Sequence, residues 1–190
     1  MCGKLYLAIR RPNRVNGQMR MRDLLSIEQV IPSLRARNKR DALQKLAAHA
    51  ATDLPVAEEA IKRFVLESAD LPAFGPGTGV ALPHAFVPGL RNPVVTFARL
   101  EPDVDFGAAD GTKTDLVALL LSPADNAGNH LRALACIART LRDSTARDLL
   151  RAANSRESVY AILCGCEEQY WTREPSFDES ARRRSKRTAN

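Results

Sequence analysis

Two of the three histidines stand where an imidazole can do chemistry. His84 follows the short apolar run Val80-Ala81-Leu82 and Pro83. His130 follows the polar stretch Ser122 to Asn129, beyond a second apolar run that ends at Leu121. A side chain at the end of a strand sits on the rim of a sheet, where sites in α/β folds gather. A neutral imidazole nitrogen is a nucleophile and a proton carrier near pH 7. If the two apolar runs are neighbouring strands, both imidazoles reach one pocket; if they are not, these are two polar residues at unrelated element ends. His49, late in a helical segment, reads as a surface histidine near a helix C-terminus. Other catalytic spacings are missing from the sequence. There is no HExxH and no GxSxG, and Gly75, Gly77 and Gly79 lack the lysine of a phosphate-binding P-loop and lead into a strand.

The elements that must hold these histidines follow from periodicity. Asp23 to Ile31 has Leu24, Leu25, Ile27 and Ile31 near helical spacing, with Pro32 as a stop. Asn38 to Ala51 reads as a helix with Leu43, Leu46 and Ala47 on one face. Pro55 to Glu67 reads as another, with Glu58 and Glu59 complementing its N-terminal dipole. Leu71 to Gly79 is a glycine- and proline-rich loop, followed by a strand over Val80 to Leu82 that Pro83-His84 ends. Val94 to Leu100 and Asp115 to Leu121 read as buried strands, with a turn at Asp110-Gly111 between them. Helices are expected over 130–142 and 146–152, and a last one is capped by Asn154 with Glu157 in a capping box. Alternating helices and short apolar strands predict an α/β layer fold.

The string Gly77-x-Gly79-Val80-Ala81-Leu82-Pro83-His84 resembles the active-site segment of EIIA domains of the bacterial phosphotransferase system. The branch is the fructose/mannitol type that includes the nitrogen-regulatory EIIA proteins. Val104-Asp105-Phe106, Asp110-Gly111 and Asp115 to Leu121 resemble the family's stretch before its second histidine, and His130-Leu131-Arg132-Ala133-Leu134-Ala135 resembles the helix that follows. The likeness runs from about Asp23 to Gly165. It implies a single domain with a mixed sheet of about five strands and helices on both faces. It implies that His84 is the phosphoryl acceptor and that His130 shares its pocket and assists. Phosphoryl transfer needs mainly positioning and stabilisation of charge on the equatorial oxygens. The backbone and hydroxyl of the turn Gly77, Thr78 and Gly79 are expected to supply part of that. The implied partners are an HPr-like phosphohistidine carrier and regulatory protein targets. No metal or organic cofactor is implied.

The chain departs from the family's usual R-E-x-x-G-S-T before the glycines. Ser68 stands in place of the arginine, and Ala73 and Phe74 in place of the serine and threonine. A charge and two hydroxyls that would flank the phosphate are therefore missing. The rival expectation is an interaction module that keeps the fold and His84 but transfers phosphate poorly.

Composition fits this frame. The 190 residues are 45% hydrophobic and 26% charged, which excludes wholesale disorder and a collagen-like chain. No apolar run approaches the roughly 18 residues of a membrane span. The net charge of +6 belongs to the ends: residues 1–22 hold six basic residues and no acid, and residues 167–190 hold six basic and five acidic ones. The middle is left with sixteen basic and seventeen acidic residues, so nucleic acid is not the expected partner. The expected division is a flexible basic leader over 1–22, an EIIA-type domain over 23–166 and a charged tail over 167–190. Met19 and Met21 stand just before the first periodic segment, which suggests 1–18 as an appended or alternatively initiated leader. Leu5 to Ile9 precedes Arg10-Arg11, the reverse of a secretory signal, and Cys2, Cys136, Cys164 and Cys166 form no CxxC pair. A cytoplasmic location with reduced thiols is expected.

Overall fold

The long apolar run after Asp115 forms the spine of the sheet. In the computed structural model, which describes residues 19–68, 78–108 and 110–171 (side chains to 165), this run is strand Thr114–Ser122. Eight of its nine residues are buried, as a strand covered on both faces requires. The chain enters through helix α1 (Met21–Leu24) and a 3-10 turn (Ile27–Gln29), then strand β1 (Val30–Leu34). Helices α2 (Lys39–Ala51) and α3 (Glu58–Glu67) follow, then the short strands β2 (Val80–Ala81) and β3 (His84–Phe86). Strand β4 (Val94–Val104) leads to β5 (Thr114–Ser122), and helices α4 (Ala127–Arg142), α5 (Ser144–Ala152) and α6 (Arg156–Trp171) complete the described chain.

Among the described residues the sheet has five strands. Along its path the order is β1-β4-β5-β2, with β3 also on β5. β4 runs antiparallel to β5, while β2 and β3 pair with β5 in parallel, one beyond the other. Alternation along the strands divides the core in two. Val95, Phe97, Leu116, Ala118 and Leu120 face one layer with Ala133, Ile137, Leu150 and Val159 of α4, α5 and α6. Ala98, Leu100, Val117, Leu119 and Leu121 face the other, with Leu43, Leu46, Ile61 and Val65 of α2 and α3. The fold is thus α/β, a mixed five-stranded sheet with helices on both faces.

Several local expectations change. The helix expected over Asp23 to Ile31 is instead a single turn, a 3-10 turn and the start of β1. The β-branched pair Val30-Ile31 suits a strand better than a helix. Pro32 does not stop it, because β1 is an edge strand whose register on β4 slips between Ile31 and Leu34. The helix expected from Pro55 begins at Glu58, and α4 begins at Ala127 under a cap from Asn126, whose side chain accepts from Asn129 N. The cap of α6 is Ser155, whose Oγ accepts from Ser158 N at 3.1 Å, one residue later than the expected Asn154.

Met21 is fully buried in the core, and α6 runs to Trp171. Residues 1–18, 69–77, 109 and 172–190 lie outside the described residues, and with them Ala73, Phe74 and Gly77.

Candidate functional site

His84 opens β3 rather than ending a strand. Pro83 cannot donate to the ladder, but its carbonyl accepts from Leu120 N at 2.9 Å, so pairing with β5 resumes at His84 opposite Leu120. Side chains alternate along a strand, so His84 and Phe86 lie on one face and Ala85 on the other. Ala85 joins the α2/α3 layer, which leaves His84 and Phe86 on the side of α4. α4 starts just after β5 ends, and its first turn carries His130 to the same place.

The two imidazoles meet there with ring centroids 5.3 Å apart, tilted by 57°. His130 is buried, at 5% exposure, and His84 is half-buried. The phenyl ring of Phe86 lies 4.4 Å from the His130 ring, tilted by 36°, and remains 43% exposed. His84 Nδ1 is 3.1 Å from the Leu82 carbonyl oxygen. A carbonyl only accepts, so in the neutral ring the proton is on Nδ1 and the lone pair on Nε2. His130 Nδ1 is 2.9 Å from Oγ of Ser122, the buried last residue of β5. The pKa of His130 lies below the usual histidine value, first because burial penalises its cation and second because His84 repels it. Two neighbouring positive charges are therefore disfavoured.

Thr78 and Gly79 stand towards the other end of β5 from this pair. Gly79 O accepts from Asp115 N and Leu116 N at the opposite end of β5, whereas His84 sits opposite Leu120. The five steps from Asp115 to Leu120 span roughly 16 Å of strand. Val80 to Pro83 run between the turn and the histidine, so Thr78 and Gly79 stand beside the start of β5 and His84 beside its end.

The polar groups of that turn are used locally. Thr78 N donates to Asp110 Oδ2 at 3.3 Å. Thr78 O accepts from Arg151 Nη2 at 2.9 Å. Arg151 makes a two-pronged pair with Asp115, at 2.6 and 3.0 Å, which raises the guanidinium's pKa. This ties the turn to α5.

Ser68, in the position expected for the family's arginine, ends α3, and its hydroxyl donates to the Val65 carbonyl at 2.9 Å. His49 is a surface residue near the end of α2, as expected, with Nε2 2.7 Å from the Glu28 carbonyl. Among the described residues no three His, Cys, Asp or Glu side chains are grouped to hold a metal. No helix among them is long and apolar enough to cross a membrane. Sequence reasoning missed Phe86 and Ser122. The signal for Phe86 was the two-residue spacing from His84, hidden because Pro83-His84 reads as a strand end.

Known proteins share this arrangement of elements. Residues 23–165 match the family described as "Phosphoenolpyruvate-dependent sugar phosphotransferase system, EIIA 2". A nitrogen regulatory protein of Bradyrhizobium diazoefficiens is 40% identical over 145 residues, covering 76% of this chain and 95% of its own. The crystal structure of nitrogen regulatory protein IIA-Ntr from Neisseria meningitidis superposes with a TM-score of 0.69 at 25% identity, covering 74% of this chain and 97% of that one. The mannitol IIA of Escherichia coli, solved in complex with phosphorylated enzyme IIB, shares the fold with a TM-score of 0.63 at 19% identity, over 75% of this chain and 99% of that one. With its sheet, its two core layers and most of its length matched, the chain belongs to the EIIA 2 family of the phosphotransferase system, among the nitrogen regulatory proteins.

Proposed function

We propose that the protein is a cytoplasmic phosphocarrier and regulator that accepts a phosphoryl group on Nε2 of His84. The donor is a phosphohistidine on an HPr-like protein, and regulatory partners respond to the phosphorylation state. The observation that carries this reading is the bond from His84 Nδ1 to the Leu82 carbonyl, which leaves the Nε2 lone pair for attack. That pair forms the new N–P bond as the donor's N–P bond breaks and its electrons return to the donor ring. The His84 ring then carries a formal positive charge, which Nδ1–H shares with the Leu82 oxygen. His130 supports the step in its neutral form, since a cation 5.3 Å away would oppose a second charge on His84.

Incubation with phosphorylated carrier tests the reading. Wild type gains acid-labile phosphate, His84→Ala gains none while keeping its fold, and His130→Ala gains it more slowly. Full labelling of His84→Ala overturns the assignment. A second reading, an interaction module with impaired transfer, is favoured by Ser68, whose hydroxyl is spent on its own helix where relatives would present a charge. Under that reading the wild type itself remains unlabelled.

A further inference from the structure

We propose that Ser122 is a positioning residue for His130: its hydroxyl donates to Nδ1 and fixes the ring as the tautomer that carries its proton on Nε2. This rests on the phosphoryl-transfer reading for its consequence, but not for its geometry. Ser122 is fully buried at the end of β5, and its Oγ lies 2.9 Å from His130 Nδ1. Among the described residues His130 is the side-chain partner of that Oγ, and the bond from Val87 N goes instead to the Ser122 backbone carbonyl. A buried hydroxyl left without an acceptor is costly. If Nδ1–H donated to Oγ, the serine proton would have no acceptor there. If the hydroxyl donates to the Nδ1 lone pair, both groups are satisfied and the ring proton must be on Nε2.

The consequence is chemical. Nδ1 is tied down on the Ser122 side, so the other nitrogen of His130 is a hydrogen-bond donor. His84, held by a carbonyl, has the opposite pattern, with a lone pair on its Nε2. One ring thus offers the nucleophile and its neighbour an N–H for a phosphoryl oxygen, with neither ring charged before attack. A carbonyl fixes the first tautomer and a hydroxyl the second. Phe86 covers His130 but offers no hydrogen bond to choose its tautomer.

The test combines a spectroscopic and a kinetic readout on the full chain. In the 15N spectrum of the neutral wild type, His130 shows a protonated Nε2 and an unprotonated Nδ1. Ser122→Ala yields a mixture of tautomers and slows transfer from phosphorylated carrier by roughly tenfold to a hundredfold, as for loss of an oriented donor to a charged group. Ser122→Thr restores both. A wild-type His130 protonated on Nδ1 overturns the proposal, as does a Ser122→Ala protein with unchanged tautomer or unchanged rate. Should wild type take up no phosphate, the transfer reading fails, and the 15N spectra alone decide the tautomer claim. Circular dichroism of Ser122→Ala matching wild type shows that the fold is kept; if that variant is unfolded, Ser122→Cys, a weaker donor of similar size, takes its place in both readouts.

Discussion

Replacing Phe86 by Ala probes the site from its solvent side. Fully burying a phenylalanine side chain stabilises by about 1.5–3 kcal/mol. Phe86 keeps 43% of its surface exposed, so the burial it loses is worth roughly 1–1.5 kcal/mol. Its ring contact with His130, at 4.4 Å, adds about 0.5–1.5 kcal/mol. Urea unfolding at pH 8 should therefore show Phe86→Ala less stable by about 1.5–3 kcal/mol. The difference should also depend on pH. His130 titrates below its usual value in the folded protein, chiefly through burial and then through His84. As pH falls below about 6.5, the unfolded chain takes up a proton that the folded one refuses, so this group's contribution to stability falls with it. Opening the ring face to water moves the folded pKa back up towards the usual value, and the acid loss shrinks. The stability gap between wild type and variant should thus be narrower at pH 5.5 than at pH 8. An NMR titration of His130 should show its midpoint rising. A midpoint that stays or falls, or a gap that widens in acid, refutes the role given to Phe86.

Two further changes test neighbouring parts of the account. Ser68→Arg, alone or with Phe74→Thr, should raise the rate of phosphate uptake by about one to two orders of magnitude, the worth of a charge-assisted contact of roughly 1.5–3 kcal/mol; stopped-time labelling measures it, and an unchanged rate removes the missing charge as the limitation. Gly79→Ala places a methyl group 2.6 Å from Asp115 Oδ1 and 2.9 Å from Arg151 Nη2 at a φ of +85°, so urea unfolding should show a loss of about 1–3 kcal/mol with the His84 chemistry unchanged.

The legible parts of the fold were those where one local pattern had one structural outcome. The unbroken apolar run of β5 and the helical stripe of α4 are such cases, and they fix where His130 stands. Leu24, Leu25, Ile27 and Ile31 imitate a helical period although the backbone changes conformation twice beneath them. Spacing counted along the chain does not see that change. The histidine pair was legible through its motif, but its neighbours were not. Gly79 is five residues from His84 in sequence yet belongs to the far end of β5, because extended chain turns nearness in sequence into distance. Ser122, eight residues before His130, and Phe86, much earlier in the chain, reach its ring only through strand pairing and a loop, contacts that no single element announces.

The most direct measurement locates the phosphoryl group atom by atom. After incubation with phosphorylated carrier, 15N and 31P spectra of the wild type should show one N–P bond, on Nε2 of His84, with Nδ1 still protonated and His130 unmodified. A phosphoryl group on Nδ1 of His84, on His130 or on any other side chain contradicts the account.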